Sequence, residues 1–346
     1  MKAVGYTDSL PINDPKSLQD VELPQPVATG RDLLVRVRAI GVNPVDAKVR
    51  QRAAAEEGQI KVLGWDAVGE VVATGEGVSL FKPGDQVYYA GDVTRQGSNA
   101  EYQIVDERIV GRKPASLSDS EAAALPLTSI TAWEMLFDHL GLVQQDPGNI
   151  TPSNEVILVI GAAGGVGSIL IQLAKKLTGA TVVATASRPE SRQWVESLGA
   201  DFVVNHREPL QPQIEQLVSE GSITSISHVA SLNATDQYFD AYVELLRPFG
   251  KIALIDDPAA LDVMKMKPKS LSLHIEFMFA RSMHSAEDMQ VQHELLDKVA
   301  SLVEQGYIRT TAGKNLGAIN AEHLRAAHAE LEAGTAVGKI VLEGFE

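Results

Sequence analysis

The 346-residue chain contains no cysteine. That excludes disulfides, a thiolate nucleophile and any cysteine-ligated metal, and leaves the compartment open. Lysine and arginine total 30 against 45 aspartates and glutamates, for a formal charge of −15. Nucleic acid and anionic membrane surfaces both need clustered basic residues, so neither is an expected partner. An anionic ligand would need a local positive spot. The opening MKAVGYTDSL lacks an apolar h-region, which removes a secretory signal and makes the cytoplasm the default expectation. A stretch of 19 residues without charge, Val156 to Ala174, has the length of a membrane span, but its glycines argue against one. Aromatic residues are sparse at 5%, yet 45% of the chain is hydrophobic and 22% charged, the balance of a globular protein with ample core. The length suggests two domains.

What is present centres on VILVIGAAGGVGSILIQLAKK, residues 156 to 176. Val156 to Ile160 is a β-branched, uncharged run of the kind buried on both faces of a parallel sheet. Glycines follow at once, and then a helix from about Val166 to Leu177. Gly161, Gly164, Gly165 and Gly167 stand where a chain turning from strand to helix needs positive φ or no side chain. Together with Val166 they are expected to present bare N–H groups to a diphosphate at the positive end of the helix. The G-x-G-x-x-G fingerprint is met only loosely, since Ala162 takes the first glycine place. A second β-branched strand, Thr181 to Ala186, completes a βαβ unit. Where an NAD site usually has an acid for the ribose hydroxyl, this strand ends Thr185, Ala186, Ser187, Arg188. A hydroxyl and a guanidinium suit a 2′-phosphate, so NADPH is the expected cofactor. Ser187 is equally suited to capping the next helix, with Pro189 in its first turn.

Residues 1 to about 126 read as β-rich, with short runs Lys2 to Tyr6, Leu33 to Ile40, Ala67 to Ala73, Gln86 to Ala90 and Glu101 to Val105 between turn clusters. Ser118-x-x-Glu121 is a capping box, and a second helix is expected over Ser129 to Leu140. From Glu155 strands and helices alternate, which implies an α/β fold with a parallel sheet covered on both faces. Leu271 to Phe279 is expected as one further strand, and Glu287 to Gln305 as an amphipathic helix. The tail returns to strand, helix, strand, with Asn320 as cap, and is expected to rejoin the N-terminal β unit. The expected domains are therefore 1–126 completed by 310–346, and 127–309 for the dinucleotide.

Several motifs in order carry a resemblance over nearly the whole length: GVNPVDAKVR (41 to 50), LGWDAVGEVVATGEGV (63 to 78), KPGDQVYYAG (82 to 91), AAALPLTSITAWEML (122 to 136), GAAGGVGS (161 to 168) and GKIVLEGF (338 to 345). The chain resembles the medium-chain dehydrogenase/reductases, and within them the zinc-free quinone oxidoreductases. The resemblance implies a split GroES-like catalytic domain plus a doubly wound Rossmann domain. Zinc-dependent alcohol dehydrogenases in this superfamily hold the catalytic metal by a Cys, a His-Glu pair and a second Cys. The matching positions here are Asn43, Trp65-Asp66 and Leu127, short of the three ligands a catalytic zinc needs. Nor do the histidines supply a site: His293-Glu294 meets Asp297 where H-E-x-x-H needs its second His, and His323 and His328 are five apart on a helix, a spacing that favours solvated side chains. No metal is expected.

Without a Lewis acid, plain alcohol oxidation is disfavoured. Hydride is expected to go to a quinone or a C=C conjugated to a carbonyl, an enone or 2-alkenal. A non-catalytic NADPH-binding protein is the competing class. By the resemblance Asn43 lies beside the nicotinamide, although Asn43, with Pro44 and Asp46 after it, is also a good helix cap. Asp46 is grouped with it as a catalytic candidate, and Asp46 and Arg50 are also spaced for a helix-face ion pair. Thr131 matches a position near the nicotinamide, or is an interior helical threonine. His206 follows the third strand, where relatives place an aromatic residue against the adenine, or is an exposed loop histidine. Arg192 adds charge for the 2′-phosphate or is solvated surface. Trp65, Phe277 and Phe279 are candidates for the acceptor pocket or plain core. No side chain stands out as a general acid, so water is the expected proton source. A homodimer is implied by family members that pair the edge strand across a two-fold axis.

Overall fold

The computed structural model describes residues 1–345. Contacts divide the chain into two units, Met1–Ile130 with the residues from Phe279 onward, and Thr131–Met278.

The first unit is built on the eleven-residue strand Asp32–Val42. It pairs antiparallel with Ala67–Thr74 along its length, with Tyr102–Asp106 at residues 32 to 36, and with the last strand, Lys339–Glu343, at residues 39 to 42. Gln86–Tyr89, Val110–Arg112 and Ala312–Asn315 extend this sheet, and Gln19–Glu22, Lys2–Tyr6 and Lys61–Val62 form a second, three-stranded one. The alternating runs seen in the sequence are these strands. The C-terminal tail rejoins them because its apolar strand completes the hydrogen bonding of Ala39 to Val42. Ser118 and Glu121 form the expected box, each bonded to the other's main-chain N–H, and Asn320 caps the helix Ala321–Glu332 by accepting from His323.

Residues 279 to 309, expected with the dinucleotide domain, group instead with the β-rich unit. Packing decides this. The helix Val291–Glu304 lays Leu295, Leu296 and Val299 inward, and Gly111 leaves room for it: a Cβ there would lie 2.5 Å from that of Leu296. Tyr88 Oη donates to Leu296 O at 2.6 Å, and Arg112 bonds Asp297 at 2.8 Å.

The second unit holds a six-stranded parallel sheet in the order Phe202–Val204, Thr181–Thr185, Val156–Ile160, Ile226–Ser231, Leu246–Leu254, Ser272–Ile275. The chain starts in the middle, winds one way and then the other, which creates a switch point between Val156–Ile160 and Ile226–Ser231. Leu158, Ile160, Val183, Val229, Phe239, Tyr242 and Ile252 belong to its core. The expected strand Leu271 to Phe279 is only Ser272–Ile275, because its partner ends at Leu254, opposite Ile275. The helix expected over Ser129 to Leu140 is α-helical over Pro126–Trp133, then widens to a π-helix over Glu134–His139, where Leu140 N donates to Met135 O. Among the described residues no helix is long and apolar enough to cross a membrane; the uncharged stretch is a strand followed by the helix Gly165–Leu177.

Candidate active site

In the second unit the turn after Val156–Ile160 is made by Gly161, whose φ of +74° favours glycine. Gly161 N donates to Thr185 Oγ1 at 3.2 Å and Gly164 N to Gly161 O at 3.1 Å, fixing the turn from both sides. Gly164 is the N-cap and carries no side chain to satisfy the first-turn N–H groups of Gly165, Val166 and Gly167. Gly167 is required for closeness, since a Cβ there would lie 2.4 Å from Ala162 O. The result is a backbone cradle at the positive end of a 13-residue helix, beside the switch point. A diphosphate fits it.

At the ends of the next two strands the structure gathers cations. Ser187 Oγ lies 3.4 Å from His206 Nε2, and Arg192 reaches back to Val203 O at 3.3 Å. Burial, with the charges of Arg207 and Arg188, pushes the His206 imidazole below its ordinary pKa. Arg188 rather than Ser187 is the N-cap of Pro189–Ser197, its N–H bonded to Ser191 Oγ at 3.2 Å. The capping role considered for Ser187 is thereby corrected: Pro189 is already the first helical residue, which puts Ser187 one place too early. Arg188 and Arg207 thus both lie near enough to His206 for their charges to act on it.

The first unit holds a buried polar cluster. Asn43, Asp46, Asp66 and Lys339 are each no more than 3% exposed. Asn43 follows the last residue of the central strand, Val42, and is the N-cap of the helix Pro44–Arg52, while the antiparallel pairing of Ile340 with Val42 brings Lys339 alongside. Lys339 Nζ donates to Val42 O at 2.9 Å, to Asp66 Oδ2 at 2.9 Å and to Asn43 Oδ1. Asn43 Nδ2 donates to Asp66 Oδ2 at 2.7 Å, and Leu127 N to Asp66 Oδ1 at 2.7 Å. Asp46 Oδ2 accepts from Asn43 N at 2.7 Å. The ammonium is bonded to the Asp66 carboxylate and not to that of Asp46, which holds the Asn43 N–H instead. Burial pushes Asp46 up to about 7, against the pull of the Asn43 N–H and Lys339, and pushes Asp66 upward as well. The burial that pushes these two carboxyls upward was not legible in the sequence.

The ion pair considered between Asp46 and Arg50 is not formed. Arg50 is buried and turned the other way, donating to Leu10 O, Glu332 and His328 Nδ1. His328, expected to be solvated, is fully buried, and burial pushes it down to about 3. Trp65 and Phe279 meet edge to face with ring centres 6.0 Å apart, both buried, and Trp65 Nε1 donates to Asp92 O. Phe277 belongs to the other unit and is 48% exposed. Thr131 is buried in the helix Pro126–Trp133. Lys339 was missed; the one signal was a lysine opening the strand KIVLE ahead of three apolar residues.

Comparison with known proteins agrees with this architecture. A family model for zinc-binding dehydrogenases matches residues 165–293, and one for the GroES-like domain of alcohol dehydrogenases matches residues 29–115. A zinc-type alcohol dehydrogenase-like protein of Staphylococcus aureus is 40% identical over 99% of both chains. The chain belongs to the medium-chain dehydrogenase/reductase superfamily. It is an oxidoreductase of that superfamily, whose members bind a nicotinamide cofactor. The chain superposes with a TM-score of 0.94 on a Rhizobium etli structure described provisionally as a zinc-dependent alcohol dehydrogenase, 49% identical over 100% of this chain and 98% of that one. A mycobacterial protein complexed with NADPH (27% identical, TM-score 0.82, 99% and 100% covered) and a quinone oxidoreductase of Coxiella burnetii (27%, 0.79, 99% of each) share the fold.

The relatives' names make zinc the metal to test. By the resemblance drawn from the sequence, the residues matched to the ligand positions are Asn43, Trp65, Asp66 and Leu127. An amide, an indole and an aliphatic side chain are poor donors to zinc, and the one carboxylate is held by an ammonium, an amide and a main-chain N–H. The residues do not fit the metal. Among the described residues no group of three or more His, Cys, Asp or Glu is placed to hold one.

Proposed function

We propose that this protein is an NADPH-dependent, zinc-independent oxidoreductase that delivers hydride to a quinone or similar conjugated carbonyl. The observation that carries this reading is the Lys339–Asp66–Asn43 cluster, an internally neutralised hydrogen-bond frame at the positions where zinc-dependent relatives keep metal ligands. A site without a Lewis acid favours an acceptor that spreads incoming charge over its own conjugated system. When bound, NADPH supplies the hydride.

The chain's own residues do the rest. Gly161 and Gly164 shape the turn, and the N–H groups of Gly165, Val166 and Gly167 hold the diphosphate. Ser187 and Arg188, with Arg192, take the 2′-phosphate, and His206 lies against the adenine end. Thr131 orients the nicotinamide, and Asn43 donates to the acceptor oxygen that gains negative charge. Trp65 and Phe279, packed edge to face, exclude water from the acceptor, and solvent returns the proton. Two copies pair through the edge strand Ser272–Ile275.

NADPH oxidation followed across a panel of quinones, enones and 2-alkenals tests the reading and separates quinone from double-bond reduction. Tight NADPH binding with no acceptor reduced would make the protein a binding module instead. Arg188→Ala is expected to raise KM for NADPH about 10- to 100-fold, the worth of one charge-assisted contact, and to leave KM for NADH nearly unchanged. Equal losses for both cofactors would remove the 2′-phosphate assignment.

A further inference from the structure

The reading above gives Lys339 no step of its own in hydride transfer, yet its ammonium makes three hydrogen bonds within the cluster. Its three ammonium hydrogens go to Val42 O, Asn43 Oδ1 and Asp66 Oδ2, so it offers nothing further to a ligand. Asn43 is thus gripped at both ends of its amide: the oxygen faces the ammonium, and Nδ2 faces the Asp66 carboxylate at 2.7 Å. Turning the amide over would set oxygen against carboxylate and N–H against ammonium, two repulsive contacts in a buried site where such terms are large. The grip is itself fixed, because Asp66 Oδ1 accepts from Leu127 N at 2.7 Å and Lys339 N is tied to Thr311 O at 2.8 Å. Asp66 uses one hydrogen of Nδ2. The second has no acceptor among the described residues.

We propose that Lys339, acting with Asp66, is a positioning residue that locks the Asn43 amide in one orientation and leaves its second N–H directed as the donor to the acceptor oxygen. This rests on the reading that Asn43 acts in hydride transfer. The ammonium also draws density toward the amide oxygen, which makes the remaining N–H a stronger donor. The part played by a residue 296 positions away in sequence is therefore exerted through Asn43, not on the acceptor directly.

A cycle of variants tests this. K339M alone leaves Asp66 buried without its counter-charge, which can unfold the unit, so the pair is removed together as K339M/D66N. Steady-state kinetics are compared for the wild type, N43A, K339M/D66N and the triple variant. K339M/D66N is expected to lose about tenfold or more in kcat, the scale of a misaimed oxyanion donor, with KM for NADPH within about twofold of wild type. The triple variant is expected to be no slower than N43A. Losses that multiply in the triple variant would overturn the proposal, as would a change confined to KM. The second readout is independent of turnover: the side-chain amide of Asn43, identified by the resonance missing in N43A, is followed by NMR of asparagine-labelled protein. Two widely separated, slowly exchanging N–H protons are expected in the wild type and the pattern of a free amide in K339M/D66N, whereas an unmoved spectrum would refute the lock. Should the wild type reduce no acceptor at all, the functional reading fails on the wild type itself, and the amide spectrum still decides whether Lys339 holds Asn43.

Discussion

Asp46 and His328 are buried titratable groups whose pH effects run in opposite directions. Asp46, pushed by burial to about 7, binds its proton more tightly in the folded protein than in the unfolded chain, where an aspartate titrates near about 3.9. Its contribution is favourable below that unfolded value and is lost as pH rises through about 7. His328, pushed down to about 3 by burial and the charge of Arg50, binds its proton less tightly than the unfolded chain. Its contribution is present above about 6.5 and is lost as pH falls toward 3. Asp46→Asn keeps an acceptor for the Asn43 N–H and cannot ionise. Its melting temperature relative to wild type is expected to be higher by about 2–5 °C at pH 8 than at pH 5, on the order of one to two kcal/mol for a protein this size. A gap independent of pH would show that Asp46 does not titrate there. Asn43 and Asp66 were legible as misfits at a metal site because residue chemistry alone tells an amide from a thiolate. Lys339 was not, because nothing local in KIVLE says which distant strand end it will meet.

At the scale of elements, the strand–turn–helix from Val156 to Leu177 was the most legible part, since its glycines and its β-branched run point to one geometry. Gly167→Ala tests that geometry. Its Cβ would meet Ala162 main chain at 2.4 Å, and backbone cannot step aside as a side-chain tip can. The variant is expected to lose about 1–3 kcal/mol of stability and most of its NADPH affinity, measured by thermal melts and titration. Unchanged affinity would mean that the turn does not hold the diphosphate. The boundaries that sequence reading misplaced depend on partners. Ser272–Ile275 stops where the neighbouring strand stops, and the helix Val291–Glu304 joins the unit whose Gly111 has room for it. Periodicity gives a helix its apolar face but not the surface that face will meet. The widening to a π-helix at Glu134–His139 has no signal in the sequence that we recognise.

At the scale of the whole molecule, the exposed edge of Ser272–Ile275, with Ile275 71% exposed, is the surface on which the proposed homodimer rests. Ile275→Lys places a charge in that seam. Sedimentation is expected to show a dimer for wild type and a monomer for the variant, and a monomeric wild type at micromolar concentration would remove the dimer. The two-unit plan and the return of the C-terminal strand were readable from the order of apolar patterns; the membership of residues 279 to 309 was not. The central claim is that hydride passes from NADPH to a conjugated acceptor through a site framed by Lys339, Asp66 and Asn43 and independent of zinc. The most direct measurement is the initial rate of NADPH oxidation by chelator-treated protein, with quinones, enals and, in the reverse direction with NADP, simple alcohols, before and after zinc is added. The account predicts turnover with a quinone or enal, unchanged by chelation or by zinc. Alcohol oxidation that appears only when zinc is restored would contradict it.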